Sequence, residues 1–175
     1  MRLFIAAELP EPMLEALVET QAALRDCVRG RYVAPDMLHV TLAFIGHVPG
    51  FLVDRAVGAL ETACEGTAPI EASLGELDSF GRPRKATLWQ AVSGGVELAN
   101  LAEAVRVQLC LGDLPFDEKD FKAHVTLMRA ADLAAVSELP MPHVARGAID
   151  TVTLFSSDLS GEHPVYEPLH TVRLG

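Results

Sequence analysis

The string His-Val-Thr-Leu occurs twice, at His39–Leu42 and at His124–Leu127, on either side of the middle of the 175-residue chain. In extended backbone, successive side chains point to opposite faces. Val40, Leu42 and Phe44 therefore share one face, while His39, Thr41 and Ala43 share the other. The same alternation separates Val125 and Leu127 from His124, Thr126 and Met128. Apolar residues on one face call for a core, so each His/Thr pair is left facing something polar and accessible. Within a pair the two side chains lie about 6–7 Å apart along the strand. The first motif strand is read over His39 to Gly46 and the second over Ala123 to Arg129.

The rest of the chain supplies what such strands need around them. Arg2 to Leu9 reads as a strand. A helix follows from Pro10 to about Val28, marked by Leu14, Leu17, Val18 and Leu24 and stopped by Gly30. Arg31 to Ala34 forms a short strand before the Pro35-Asp36 turn. A second helix covers about Phe51 to Glu65. Strands follow at Ile70 to Leu77 and Ala86 to Val92, joined by the turn-rich, basic segment Asp78 to Lys85. Leu98, Leu101, Ala102, Val105 and Leu109 repeat with helical spacing and give the clearest helix. Strands at Ala148 to Asp158 and Val165 to Leu174 close the chain. The main order is β-α-β-α-β followed by β-α-β-β-β, with strand, helix and motif strand occurring in both halves. The expected fold is α+β, one domain over residues 1–175. Its two pseudo-symmetric lobes, each an antiparallel-rich sheet backed by helices, face each other across a central cleft between the motif strands.

Charge and composition exclude several functions. Acidic residues number 24 against 14 basic ones, for a formal net charge of −10. Broad non-specific binding to nucleic acid needs a dominant basic surface, so it is not expected. A single phosphate-bearing end could still sit in a local basic pocket. No run approaches the roughly 20 apolar residues of a membrane span. The apolar run Leu3 to Ala7 stops at Glu8, too short for a signal peptide. Cys27, Cys64 and Cys110 have no metal-type spacing and are read as buried, reduced thiols in helices, which places the protein in the cytoplasm.

Two imidazoles across a cleft suit a reaction that needs one base and one acid near neutral pH. Phosphodiester cleavage is such a reaction. One histidine takes a proton from water, the other gives one to the leaving oxygen, and the threonine hydroxyls donate to phosphoryl oxygens. Sequence alone does not say which histidine is which. Zinc normally takes roughly three or four protein ligands, and threonine is a poor one. No Cys, Asp or Glu completes such a site, and no cofactor is expected. No nucleophile elbow, Walker loop or dinucleotide fingerprint is present. His47, His143, His163 and His170 lack the paired threonine and are read as structural or exposed.

At these residues the chain resembles the two-histidine phosphoesterase superfamily, defined by paired H-x-T/S-x motifs. Within it, the likeness is to the RNA 2′,3′-cyclic phosphodiesterases, also called 2′-5′ RNA ligases. It covers Arg31-Tyr32-Val33 and Leu38 through Gly46, then Lys119 through Arg129, and extends to Arg2–Ala6, Arg82-Pro83-Arg84, Leu88-Trp89 and Tyr166 to Leu169. One departure is Ala123, where the family commonly has proline before the second histidine.

The resemblance implies hydrolysis of RNA ends or small 2′,3′-cyclic nucleotides to 2′-phosphomonoesters. It implies His39 as proton donor, His124 as proton acceptor, and Thr41 and Thr126 as holders of the phosphate oxygens. Arg129 is a candidate phosphate or base contact, with a surface arginine as its other reading; strict alternation from His124 puts it on the wrong face unless the strand ends or bulges there. Phe121 is a candidate for stacking on a base, with the core as its other reading. Arg82, Arg84 and Lys85 are either an RNA guide or a solvated hairpin. Reversal of the reaction would join RNA ends through a 2′-5′ linkage, as a side activity. The alternative from another class is a nucleotide or RNA-end binding module without turnover. No membrane partner is expected, and a monomer is the default.

Overall fold

In the computed structural model, which describes residues 1–175, nine strands and three α-helices follow one another along the chain. Strand β1 (Arg2–Ala7) leads to helix α1 (Glu11–Arg25) and the short β2 (Arg29–Tyr32). The first motif follows as β3 (Val40–His47), then α2 (Val53–Cys64) and the pair β4 (Ile70–Phe80) and β5 (Ala86–Ser93). Helix α3 (Gly95–Leu111) precedes the second motif strand β6 (His124–Asp132), and β7 (Arg146–Ile149), β8 (Thr151–Asp158) and β9 (Val165–Arg173) end the chain. The fold is α+β, with the strands in one curled sheet and every strand pairing antiparallel.

The order across the sheet is β7-β4-β5-β6-β3-β1-β8-β9, with β2 laid separately along β6. The two motif strands are therefore neighbours at its centre. They meet through a single pairing, Val40 with Val125. Both valines are fully buried, as the alternation of each motif requires. Helices α2 and α3 pack on each other, α2 also on β8 and β9, and α3 also on β3 and β4. The apolar core so formed draws on all three helices and on both halves of the sheet.

Three local features depart from the sequence reading. The segment read as one strand from Ala148 to Asp158 is two strands on opposite sides of the sheet. β7 pairs with β4, and β8 pairs with β1. The apolar pattern runs on through the break, and only Asp150 marks it. Its carboxylate accepts from the Thr151 hydroxyl at 2.8 Å and its carbonyl from Leu174 N–H at 2.8 Å. Helix α1 stops at Arg25, short of Val28, so Gly30 belongs to β2 rather than to a helix stop. Cys27 then lies beyond the helix and is exposed, as is Cys110 at the end of α3; of the three free thiols only Cys64 is buried.

Candidate active site

A cavity of about 340 Å³ opens where the two motif strands meet, and His39, Thr41, His124 and Thr126 all line it. β2 and the turn after it form one wall through Arg31 to Ala34 and Met37. The loop between β8 and β9 forms another through Glu162, His163 and Pro164, with Tyr166 of β9 beside them. Arg129 completes the lining from β6.

The two histidines are held in the same way. His39 Nδ1 lies 2.7 Å from the carbonyl oxygen of Met37, and His124 Nδ1 lies 2.6 Å from that of Lys122. A carbonyl oxygen only accepts, so Nδ1 carries the proton in both rings. Nε2 is left in each as the nitrogen free to give or take one. The rings differ beyond that. His39 Nε2 is 3.0 Å from Thr41 Oγ1 within its own motif, whereas His124 Nε2 makes no hydrogen bond to protein.

Aromatic rings fix each imidazole from the side. His39 lies against Phe4, with centroids 5.1 Å apart, and edge-on to Tyr166 at 5.7 Å. His124 is edge-on to Phe80 at 5.3 Å and tilted against Trp89 at 5.4 Å. This enclosure lowers both pKa values, because burial disfavours the charged ring. His39 falls from near 6.5 to about 4, with the positive charges of Arg129 and His124 adding to the effect of burial and the Met37 carbonyl opposing it. His124 is lowered by burial first and then by Arg129 and Lys122, against the Lys122 carbonyl. Without an anion beside it, His39 is therefore neutral at pH 7.

Arg129 faces the cavity because β6 bulges. Trp89 of β5 pairs with Thr126, but the preceding Leu88 pairs with Met128, so Leu127 is an extra residue on β6. That residue reverses the alternation, burying both Leu127 and Met128 and returning Arg129 to the face of His124 and Thr126. Phe121 is not brought to the site. It packs against the core instead, and the aromatic residues beside His124 are Phe80 and Trp89. Arg82, Arg84 and Lys85 lie in the β4–β5 connection, outside the cavity lining.

Sequence reasoning did not single out Phe4, Phe80, Tyr166, Glu162 or His163 for the site. Phe4 and Phe80 lie far along the chain from the histidine each supports. The available signal was scarcity: the chain has seven Phe, two Tyr and one Trp, and four of these surround the two imidazoles.

With this geometry established, comparison with known proteins is decisive. Residues 10–158 match the family model of the 2′-5′ RNA ligase superfamily. The chain belongs to that superfamily. It is similar to the RNA 2′,3′-cyclic phosphodiesterase of Thermus thermophilus, 31% identical over 99% of this chain and 90% of the relative. It is also similar to the enzyme of that name from Escherichia coli, 30% identical over 96% of this chain and 93% of the relative. Among solved structures, TT0787 of Thermus thermophilus superposes with a TM-score of 0.81 at 30% identity, covering 99% of this chain and 98% of that one. E. coli LigT complexed with 3′-AMP superposes with a TM-score of 0.76 at 27% identity, covering 99% and 96%.

Proposed function

We propose that this superfamily member hydrolyses the 2′,3′-cyclic phosphate of RNA ends or of small nucleotides to a 2′-phosphomonoester. The observation that carries this reading is the pair of imidazoles on one cavity, each with Nδ1 tied to the carbonyl two residues before it. Water attacks phosphorus as one Nε2 takes its proton. The bond from phosphorus to the 3′-oxygen breaks as the other imidazole protonates that oxygen. Thr41 and Thr126 donate hydrogen bonds to the phosphoryl oxygens, and Arg129 offsets the charge that builds there.

The two histidines are suited to different halves of this step. His124 Nε2 has no protein partner, which leaves it open to a water molecule and supports His124 as the proton acceptor. His39 is the proton donor and must be charged to serve. A phosphodiester anion in the cavity supplies the charge by raising the His39 pKa and compensating Arg129. Exchange of water for an RNA hydroxyl in the reverse direction would form a 2′-5′ linkage. Water at ~55 M makes this a side reaction unless a second RNA end is held in place.

On either side of the β3–β6 contact the motif strand is flanked by a strand that precedes it through a helix, β1 through α1 and β5 through α3, which supports two pseudo-symmetric lobes within one domain over residues 1–175, each contributing one histidine to a central cleft. One chain then holds the whole acid–base pair, so a monomer suffices. Three free thiols fit a cytoplasmic setting, and no helix is long and apolar enough to cross a membrane. The test is product identity. With 2′,3′-cyclic AMP and EDTA, the protein should release 2′-AMP. Release of 3′-AMP would contradict the assignment of the leaving oxygen, and saturable binding without product would make the chain a binding module.

A further inference from the structure

The bulge that turns Arg129 into the cavity has its own support. Leu127, the extra residue, has a carbonyl oxygen that accepts the Val33 backbone N–H at 2.9 Å. The same oxygen accepts a second bond, from Gln21 Nε2 at 2.9 Å. Gln21 lies on α1, is 1% exposed and is absent from the cavity lining. Its amide also donates to the Val33 carbonyl at 2.8 Å. One buried side chain thus ties the bulge of β6 to the chain just past β2, where Val33 lines the cavity.

The amide carries a cost at this position. Gln21 Oε1 is buried without a hydrogen-bond partner, and a stranded buried oxygen is destabilising because it has given up its bonds to water. A methionine of similar length would fill the space without that cost. What the amide supplies, and a methionine would not, is two N–H donors for two carbonyls that meet at the bulge.

We infer that Gln21 is a positioning residue for the reaction: it holds the Leu127 bulge in register, and the bulge aims Arg129 at the substrate phosphate. A one-residue slip of β6 here would return Arg129 to the far face. The inference rests on the proposed cyclic phosphodiesterase activity for its kinetic test, so a second test is independent of turnover.

The kinetic test is a double-mutant cycle of Gln21→Met and Arg129→Ala on a 2′,3′-cyclic nucleotide. Gln21→Met should lower kcat/KM about tenfold alone, a step of about 1.4 kcal/mol, and less than about twofold in the Arg129→Ala background. Equal losses in both backgrounds, or no loss in the single variant, would overturn the inference. The second test follows the titration of His39 and His124 by NMR in the protein without substrate. Because the Arg129 charge lowers both pKa values, Arg129→Ala should raise both, and Gln21→Met should move them the same way. Wild-type titration in Gln21→Met would show a role in packing alone. Should Gln21→Met not fold, Gln21→Asn enters both tests under the same criteria, its amide one methylene short of spanning the two carbonyls. A wild-type protein inactive on cyclic nucleotides, with the NMR shifts as described, would sink the activity and leave the positioning role standing.

Discussion

Burial of both histidine rings has an energetic consequence that reaches beyond catalysis. Burial in the folded protein holds His39 at about 4, well under its ordinary value near 6.5. Between these values the unfolded chain binds a proton that the folded chain does not, so the folded state loses stability as pH falls. The His39 contribution should be constant above about pH 6.5 and decline through the window down to about pH 4. Thermal melts of wild type and His39→Asn across that window check this. The wild type should lose more of its melting temperature on acidification than the variant, and parallel curves would contradict the assignment. The two His/Thr pairs that line the cavity were legible because each repeats at strand spacing. Their aromatic supports were not, since Phe4 and Tyr166 reach His39 only through β1 and β9. Phe121 stood next to the second motif in sequence, but proximity along the chain did not bring it to the cavity; Phe80, remote in sequence, lies beside His124.

At the level of elements, β6 shows where strand parity works and where it fails. Alternation placed His124 and Thr126 against Val125 and Leu127, which the burial pattern matches. It could not locate the extra residue at Leu127, because a bulge depends on neighbouring strands rather than on the strand's own pattern. A second irregularity follows at Ala130, whose φ of 51° lies in the left-handed region, where β2 pairs along β6 with a register shift between Arg29 and Arg31. Gly30 makes this close pairing possible. At its φ of +156°, an added Cβ would stand 2.9 Å from both the Ala130 carbonyl oxygen and Ala131 Cα. Backbone cannot yield as a side-chain tip can, so Gly30→Ala should destabilise by about 2 kcal/mol. It should also raise KM by pushing the Arg31–Ala34 wall away from the cavity. Denaturant unfolding together with steady-state kinetics checks both, and an unchanged midpoint would show that β2 has slack. The turn-forming properties of glycine made Gly30 read as a helix stop, whereas its role here is close backbone approach. The Asp150 break between β7 and β8 escaped notice for a similar reason, as a single polar residue is a weak signal inside an apolar run.

Across the whole molecule, charge runs opposite to the needs of the site. The chain carries a net −10, yet the cavity lining holds Arg31 and Arg129 with Glu162 as its single carboxylate. The two arginines are paired across β2 and β6, and neither makes an ion pair with a carboxylate. Local positive charge in an acidic molecule attracts an anionic substrate over short range, and salt screens it. KM for a cyclic nucleotide should therefore rise as ionic strength goes from about 0.05 to 0.5 M, and the rise should be smaller in Arg129→Ala. An equal rise in both would place the attraction elsewhere. The fold class and the approach of the two motifs to one cavity were legible from the repeated string. That the two motif strands pair at the centre of a single sheet was not, because it is set by which distant strands pair. The central claim is that two imidazoles act as one acid–base unit, and the most direct test is kcat on 2′,3′-cyclic AMP for His39→Ala, His124→Ala and the double variant. Each single variant should lose about 10²–10⁴-fold, and the double variant little more than the worse single, as expected for groups acting in one step. Near-wild-type turnover in either single variant would contradict the account.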